Sequence, residues 1–314
     1  MSVLPLALLA ILAGLLLREL ATVLRARVPA QTRAVMVGDS APLRQDEIPK
    51  IIWTYWQPSP APAFIQACLD NWRRSAPDHE VRLLDRTSMG AWLPELRADF
   101  DALPARHQAE WLSVQLLARH GGIWMDASMM LSRDLAWLHE TRKRRAADYV
   151  GFYFDRVTTR PELPVIENWL MASAPGGRFV TALAQALDRA LDEGAEALLQ
   201  RLRAEGRYAR VAQALTEDTQ HHLMHVAASD LLDREPQIAR LALLRAEDGP
   251  FAWQAGVGWR KRHFYARLAL VPCPRVLPAV LKLRREDREI VERNWRRGLV
   301  SPFSALRHLL ARDA

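Results

Sequence analysis

The sequence has little cysteine and no recognised nucleic-acid module, and both absences narrow its possible functions. Only two cysteines occur in 314 residues, Cys68 and Cys273, which excludes a disulfide framework and a cysteine-based zinc site. Zinc-finger and RRM signatures are missing, so we expect no nucleic-acid partner despite the net charge of +7. Internal repeats and low-complexity segments are missing as well. We therefore expect a folded protein with free thiols in a reducing compartment.

The composition is that of a globular chain with a basic surface. Hydrophobic residues make up 50% of the chain and charged residues 25%, which excludes a disordered protein. The length allows one large α/β domain or two smaller domains, each with a core. The excess of basic residues favours acidic partners, such as nucleotide phosphates or an anionic membrane surface.

The amino terminus carries a long apolar run, from Val3 to Leu17, followed by Arg18, Arg25 and Arg27. A cleaved signal peptide is the alternative interpretation, but no basic residue precedes this run and no clear cleavage site follows it. We expect residues 1–27 to form a membrane-anchor helix. The positive-inside rule then predicts that the main domain lies on the cytoplasmic face of the membrane.

Hydrophobic periodicity divides the remaining chain into a linker at 28–47, a main domain at 48–280 and a basic helical tail at 281–314. Strands are predicted at 50–55, 80–84 and 123–125, and helices at 62–74 and 104–120. Further strands are predicted at 149–154, 168–171, 241–244 and 266–271. Alternating strands and helices predict an α/β fold with a mainly parallel central sheet flanked by helices.

The segment from His120 to Ser128 is the most informative part of the sequence. It predicts a helix that ends at Gly121 and Gly122, a short buried strand, and then the carboxylate of Asp126. In an open α/β sheet, ligands bind beyond the carboxyl ends of the strands. The alternative is that the aspartate only closes a turn.

Four segments occur in an order that resembles the bacterial capsular polysaccharide synthesis protein family. They are Ile48–Trp53, Cys68–Trp72, Pro77–Glu80 and Gly121–Ser128. That family is similar to the family 32 glycosyltransferases with a DXD sugar-binding region, and more distantly to the glucosylating clostridial toxins. The resemblance covers residues 48–175 well and implies a GT-A-type fold, a nucleotide-sugar donor and a divalent cation, Mn²⁺ or Mg²⁺.

The resemblance also implies site residues. Asp126 corresponds to the first acid of the DXD motif, whereas Ser128 replaces the second acid and supplies only a neutral oxygen to a hard cation. A late Gly-Pro loop suggests Asp248 as a further metal ligand. The residues assigned to the donor nucleotide and sugar are Trp53, Thr54, Asp85, Arg106, Ser113 and Gly122. For Trp53, which would stack on the base, and for Asp85, the alternatives are a core tryptophan and a turn residue.

On the helix before the glycine pair, the family 32 enzymes carry an aspartate and an arginine three residues apart. Glu110 and Ser113 take these positions here, and a serine cannot supply a guanidinium. Arg106 lies one helical turn earlier and is the candidate substitute. Glu110 is therefore predicted to be catalytic together with Asp126.

The predicted function is a metal-assisted, retaining glycosyltransferase of capsular or surface polysaccharide synthesis. It would transfer a sugar from a nucleotide-sugar donor to a glycan or lipid-linked acceptor at the inner membrane surface. A metal-dependent phosphotransferase or nucleotide-sugar hydrolase is one alternative, and a non-catalytic membrane-anchored assembly factor is another. His221, His222 and His225 have a spacing suited to metal ligation on a helix, although a packing role is also open.

Overall fold

A computed structural model describes residues 3–42, 46–215 and 222–311. The chain divides into two compact units. The sheet unit contains Thr32–Ala127 and Asp134–Ala246, and the helical unit contains Met1–Gln31, Ser128–Arg133 and Glu247–Ala314. His221, one of the three histidines singled out in the sequence, lies outside the described residues.

The sheet unit is built on seven strands in the spatial order β1-β8-β6-β7-β4-β2-β3. Their bounds are β1 Ala34–Val37, β2 Ile51–Tyr55, β3 Glu80–Leu84, β4 Gly122–Met125, β6 Tyr149–Tyr153, β7 Ile166–Ser173 and β8 Leu241–Arg245. Its helices are α2 Ala63–Ser75, α3 Ala105–His120, α4 Ala136–Arg145, α5 Arg178–Glu193, α6 Ala195–Ala204, α7 Tyr208–Val211 and α8 Leu223–Arg234. The central strands β4 and β6 are buried along their whole length, as expected for a sheet with helices packed on it.

The prediction of a mainly parallel sheet is wrong, because the sheet is mixed. β2 pairs in parallel with β3 and β4, and β6 pairs in parallel with β8. β7 runs antiparallel to both β4 and β6, and β1 runs antiparallel to β8. The segment between β6 and β7 contains only a short 3₁₀ turn, so the chain returns antiparallel instead of crossing over through a helix.

Strand β1 lies within the segment predicted to be a linker. Its register pairs Ala34 with Leu244 and Val37 with Leu241. The sequence of this segment is polar around a short apolar stretch, and one four-residue strand is too short to give a clear period. The linker segment therefore contributes an edge strand to the sheet.

The helical unit contains five helices and a two-stranded ribbon within the described residues. They are α1 Val3–Arg25, β5 Met130–Leu131, α9 Ala252–Gly256, α10 Lys261–Ala269, β9 Val280–Leu281, α11 Arg285–Arg296 and α12 Ala305–Leu310. The strand predicted at 266–271 is wrong, because most of it lies in α10. In α10, Phe264 and Leu268 lie four residues apart on one face of the helix, and both are fully buried.

Candidate functional site

The turn between α3 and β4 can be made only with glycine. The Gly121 N–H donates to the Leu117 carbonyl at 3.0 Å and ends α3. Gly121 and Gly122 have φ angles of 63° and 100°, in the left-handed region that favours glycine. A Cβ on Gly122 would lie 2.8 Å from the Ile51 carbonyl oxygen. Gly122 therefore allows β4 to lie close beside β2, and any role in holding a nucleotide would be exerted by its backbone.

Trp53 belongs to the core. Its indole N–H donates to the Gly121 carbonyl at 2.8 Å, and its ring contacts Trp92 edge to face at a centroid distance of 5.2 Å. The side chain is fully buried, and so is that of Thr54 on the same strand. A nucleotide base can stack only on an exposed ring face, so the prediction that Trp53 stacks on the base does not agree with this structure.

The parallel strands β2, β3 and β4 end at one edge of the sheet. Asp85 follows β3 and Asp126 follows β4 at this edge. Asp126 is partly exposed, and its backbone N–H donates to the Trp169 carbonyl at 2.9 Å, where β7 pairs with β4. The strand order therefore brings the two predicted aspartates to the edge where α/β proteins bind ligands.

The Asp85 carboxylate closes a local turn. Its Oδ1 atom accepts hydrogen bonds from the backbone N–H groups of Thr87 and Ser88 at 3.0 and 2.9 Å, and from their hydroxyls at 2.7 and 2.9 Å. These donors, led by the Thr87 hydroxyl, hold the pKa of Asp85 far below its usual range. The turn interpretation of Asp85 thus accounts for its contacts.

The Glu110 carboxylate is the centre of a buried network. It is only 5% exposed, and it accepts from Arg106 Nε at 3.0 Å, from His107 Nδ1 at 3.0 Å and from Asn168 Nδ2 at 2.8 Å. Burial alone would raise the pKa of Glu110, but the His107 hydrogen bond and the charge of Arg106 outweigh burial, so the pKa lies below its usual value. Glu110 is therefore an ionised carboxylate held between α3 and β7.

This network leads to Asp126 through β7. Asn168, which donates to Glu110, is followed by Trp169, whose carbonyl accepts from the Asp126 N–H. On the other side of Asn168 in the sequence, buried Glu167 lies 3.6 Å from His225 Nε2 on α8. The structure thus links two predicted residues, Glu110 and Asp126, through two consecutive residues of β7, Asn168 and Trp169.

Ser113 and Arg106 have different relations to this network. Ser113 is fully buried, and its hydroxyl donates to the Glu110 backbone carbonyl at 2.6 Å within α3. This hydrogen bond lies within the helix. The predicted role of Ser113 in sugar binding therefore has no support from its contacts. The Arg106 side chain remains 33% exposed while it pairs with Glu110, so the cation at this site comes from one turn earlier on the helix.

The predicted metal ligands are divided between the two units. Asp126 belongs to the sheet unit, whereas Ser128 and Asp248 belong to the helical unit and are 5% and 3% exposed. Within the described ranges, no group of three or more histidine, cysteine or acidic side chains is arranged to hold a metal ion. Protein side chains alone therefore do not complete a cation site at Asp126, and the metal site stays a prediction.

The sequence profile of the capsular polysaccharide synthesis protein family matches residues 30–190, which include α3, β4 and most of the sheet. The chain belongs to the capsular polysaccharide synthesis protein family. Its sequence is also similar to the O-glycosyltransferase braB of Annulohypoxylon truncatum, with 27% identity over 150 residues. That alignment covers 42% of this chain and 35% of the relative, so the chain spans about a third of the length of that curated protein.

Among solved structures, the chain is similar to the PaToxG glycosyltransferase. The match covers 83% of this chain and 90% of that chain, with 13% sequence identity and a TM-score of 0.34. The family assignment rests on the sequence profile and does not depend on this structural likeness.

Sequence reasoning missed His107 in this capsular polysaccharide synthesis protein. The residue lies three positions before Glu110 on α3, a spacing that places two side chains on one helix face and was a usable signal. The role of Asn168 had no comparable signal, because its contact with Glu110 spans 58 residues.

Proposed function

We propose that this family member is a glycosyltransferase of capsular or surface polysaccharide synthesis. It would transfer a sugar from a nucleotide-sugar donor to a glycan or lipid-linked acceptor, on a GT-A-type fold. The observation that carries the proposal is the connection between partly exposed Asp126 and the buried, ionised Glu110 through Asn168 and Trp169. Such an arrangement fixes two carboxylates at the strand edge where a charged ligand would bind.

In this proposal, Glu110 and Arg106 bind the donor sugar. A carboxylate that already accepts from three donors is held in one orientation, which favours directional hydrogen bonds to sugar hydroxyls. The partly exposed guanidinium of Arg106 supplies a positive charge beside it. His107 and Asn168 are positioning residues that act through Glu110.

Asp126 is proposed to contact the diphosphate side of the donor through a divalent cation. Because side chains alone do not complete a cation site there, the phosphate oxygens of the donor would supply the missing ligands. A bound Mn²⁺ or Mg²⁺ would neutralise the negative charge that develops on the departing nucleotide. Ser128 and Asp248 remain the further ligands proposed for the same ion.

The reaction is proposed to retain the configuration of the anomeric carbon, as the resemblance to family 32 enzymes implies. The C1–O bond to the diphosphate would break while the acceptor oxygen forms a bond to C1 on the same face, and the acceptor proton would pass to the leaving phosphate. A product with the anomeric configuration opposite to that of the donor would overturn this part of the proposal.

Membrane association is proposed through α1. This helix is long and apolar enough to cross a bilayer, and its large apolar side chains between Leu8 and Leu17 are exposed. Membership of the capsular polysaccharide synthesis family favours membrane association. The cytoplasmic face is proposed for the sheet unit because Arg18, Arg25 and Arg27 follow the apolar run.

A non-catalytic assembly factor is the second candidate, and Ser113 favours it. The serine lies at the position where a sugar-binding arginine is expected, and its hydroxyl donates to a backbone carbonyl inside α3.

Nucleotide binding separates the two candidates. The purified full chain should be heated with UDP, GDP or CMP, each with and without Mn²⁺. Saturation at a hundred times the dissociation constant stabilises a protein by about 2.7 kcal/mol. A metal-dependent shift with one nucleotide supports the transferase, whereas a folded chain that responds to none supports the assembly factor.

A further inference from the structure

The candidate span in α1, Ala7–Arg25, is interrupted by the charged pair Arg18 and Glu19, and the uninterrupted apolar run before that pair is shorter than a bilayer core. The run from Val3 to Leu17 corresponds to about 22 Å of helix, whereas the hydrocarbon core of a bilayer is about 30 Å thick. Arg18 and Glu19 follow it immediately, and Arg18 is exposed. If the uninterrupted run occupies the hydrocarbon core, the lipid headgroups lie close to Arg18.

Contacts fix the carboxyl-terminal part of α1 to its own unit. The Glu19 carboxylate pairs with Arg260 at 3.1 Å and also contacts His263 Nε2. Ala26, just beyond the end of α1, is buried and its carbonyl accepts from Arg267 Nε at 2.9 Å. Arg267 is itself only 4% exposed, so this hydrogen bond is shielded from water.

The packing between α1 and α9 is equally close. A Cβ added to Gly256 would lie 3.0 Å from the Cα atom of Ala26, so a larger residue would require the two segments to move apart by a few tenths of an ångström. Together with the contacts of Glu19, this packing holds the carboxyl-terminal part of α1 against its own unit. The level at which α1 would leave the membrane is consequently fixed relative to the first turn of α10.

That first turn of α10 is strongly basic. Arg260, Lys261 and Arg262 are exposed, and the turn contains no acidic residue. The amino terminus of a helix carries a partial positive charge, so three cations there are unfavourable. In α4, by contrast, exposed Lys143 and Arg144 lie in the last turn, where the helix dipole favours them. Glu19 compensates Arg260 at this turn, whereas Lys261 and Arg262 still oppose the local electrostatics, which is the pattern expected if an anion outside the chain compensates them.

We infer that Arg18, Arg260, Lys261 and Arg262 form a basic collar that binds anionic phospholipid headgroups at the point where α1 enters the membrane. The inference rests on the proposed anchor and adds the lipid chemistry and the residues that recognise it. Positive charge next to an exposed apolar helix matches an anionic leaflet in both charge and polarity. A solvated surface with no lipid preference is the competing outcome.

The test uses the full chain reconstituted in vesicles of phosphatidylcholine and phosphatidylglycerol, with spin-labelled lipid of each headgroup. The fraction of motionally restricted probe measures how strongly each lipid associates with the protein. We expect the wild-type chain to prefer phosphatidylglycerol, and we expect 0.5 M NaCl to weaken that preference by screening. Each cation near an anionic surface contributes about 1 kcal/mol, or about fivefold. The double variant Lys261→Gln/Arg262→Gln should therefore reduce the preference by up to about 30-fold.

The variant Lys143→Gln/Arg144→Gln is the matched control, since it removes the same two charges from the sheet unit. It should keep the wild-type lipid preference. Restricted lipid without headgroup preference, or an equal loss in both double variants, would overturn the collar while leaving the anchor intact. Absence of any restricted lipid would overturn the anchor and the collar together. Thermal unfolding of each variant verifies that it is folded.

Discussion

The turn after β3 and the junction of α3 with β7 each hold a carboxylate that the sequence marked for ligand binding, and they hold it differently. The main donors to the Asp85 carboxylate are Thr87 and Ser88, within three residues of it, and Ser59 adds a weaker side-chain hydrogen bond. The donors to Glu110 come from its own helix and from Asn168, which is 58 residues away. One carboxylate closes a turn, and the other joins two elements of the sheet unit.

The difference separates a local structural role from a role in a site. A turn aspartate is satisfied by its neighbours wherever the turn lies, so its position at a strand edge says little about function. A buried carboxylate costs free energy unless several partners compensate it, and partners from distant segments must be positioned by the fold. Long-range compensation is therefore what distinguishes Glu110 as a candidate for function.

The substitution Glu110→Gln should have the largest effect on stability. It removes the charge that compensates Arg106 and His107 in a buried place, and breaking such a pair costs about 3 kcal/mol or more. Urea unfolding of the full chain measures this loss. Glu80→Gln is the control, because Glu80 is an exposed carboxylate paired with Arg82, and it should leave the midpoint nearly unchanged. Equal midpoints for the two variants would contradict the network.

The pH dependence should sharpen the comparison by a smaller amount. The His107 hydrogen bond and the charge of Arg106 hold the pKa of Glu110 in the folded protein below 4.5, the ordinary value of a glutamate. Its contribution to stability is therefore complete above pH 4.5 and declines as the pH falls through the folded pKa. The difference in unfolding free energy between wild type and Glu110→Gln should be constant above pH 4.5 and shrink as the pH falls below it. A difference that grows on acidification would mean that Glu110 is protonated in the folded protein.

Asn168→Ala removes only the donor that comes from β7. A hydrogen bond to a charged group contributes about 2 kcal/mol, so we expect a loss of that size in unfolding free energy. If the network positions the site for the nucleotide-sugar, this variant should also weaken nucleotide-sugar binding, although Asn168 is proposed to act only through Glu110. Hydrogen exchange of the Asp126 and Trp169 amides reports whether the strand edge loosens. Unchanged exchange and unchanged stability would show that the contact is incidental.

Asp85→Asn should have the smallest effect. Asparagine keeps a side-chain oxygen that accepts from Thr87 and Ser88, so the turn remains, and we expect a loss of about 1 kcal/mol or less. Thermal unfolding measures it. A loss as large as that of Glu110→Gln would remove the distinction between the local and the long-range carboxylate.

Local patterns predicted much of the fold. The helix at 105–120, the glycine pair and the strand that ends before Asp126 follow from hydrophobic period and turn chemistry, and all three are present. The direction of β7 was not predictable, because a strand of buried residues reads the same in either direction. The edge strand β1 was missed for a related reason, since four residues carry too little periodicity.

The candidate site shows the same limit. Glu110, Arg106 and Asp126 were predicted from the family resemblance, and their roles stay predictions. Trp53 was assigned to a nucleotide but lies in the core, because the sequence pattern of an aromatic residue in a buried strand is the same for both roles. Contacts across the sheet, such as Asn168 with Glu110, depend on strand order and could not be read from the sequence.

The most direct test of the proposed donor site compares Asp126→Asn with Asp85→Asn, two matched substitutions after the parallel strands β4 and β3, which flank β2 in the sheet. The test uses whichever of UDP, GDP and CMP stabilises the wild-type chain in the presence of Mn²⁺. Thermal stabilisation of the full chain by that nucleotide with Mn²⁺ is measured for wild type and both variants. We expect Asp126→Asn to lose the metal-dependent stabilisation and Asp85→Asn to keep it. Full stabilisation of Asp126→Asn, or its loss in Asp85→Asn alone, would contradict the assignment of the donor site to Asp126.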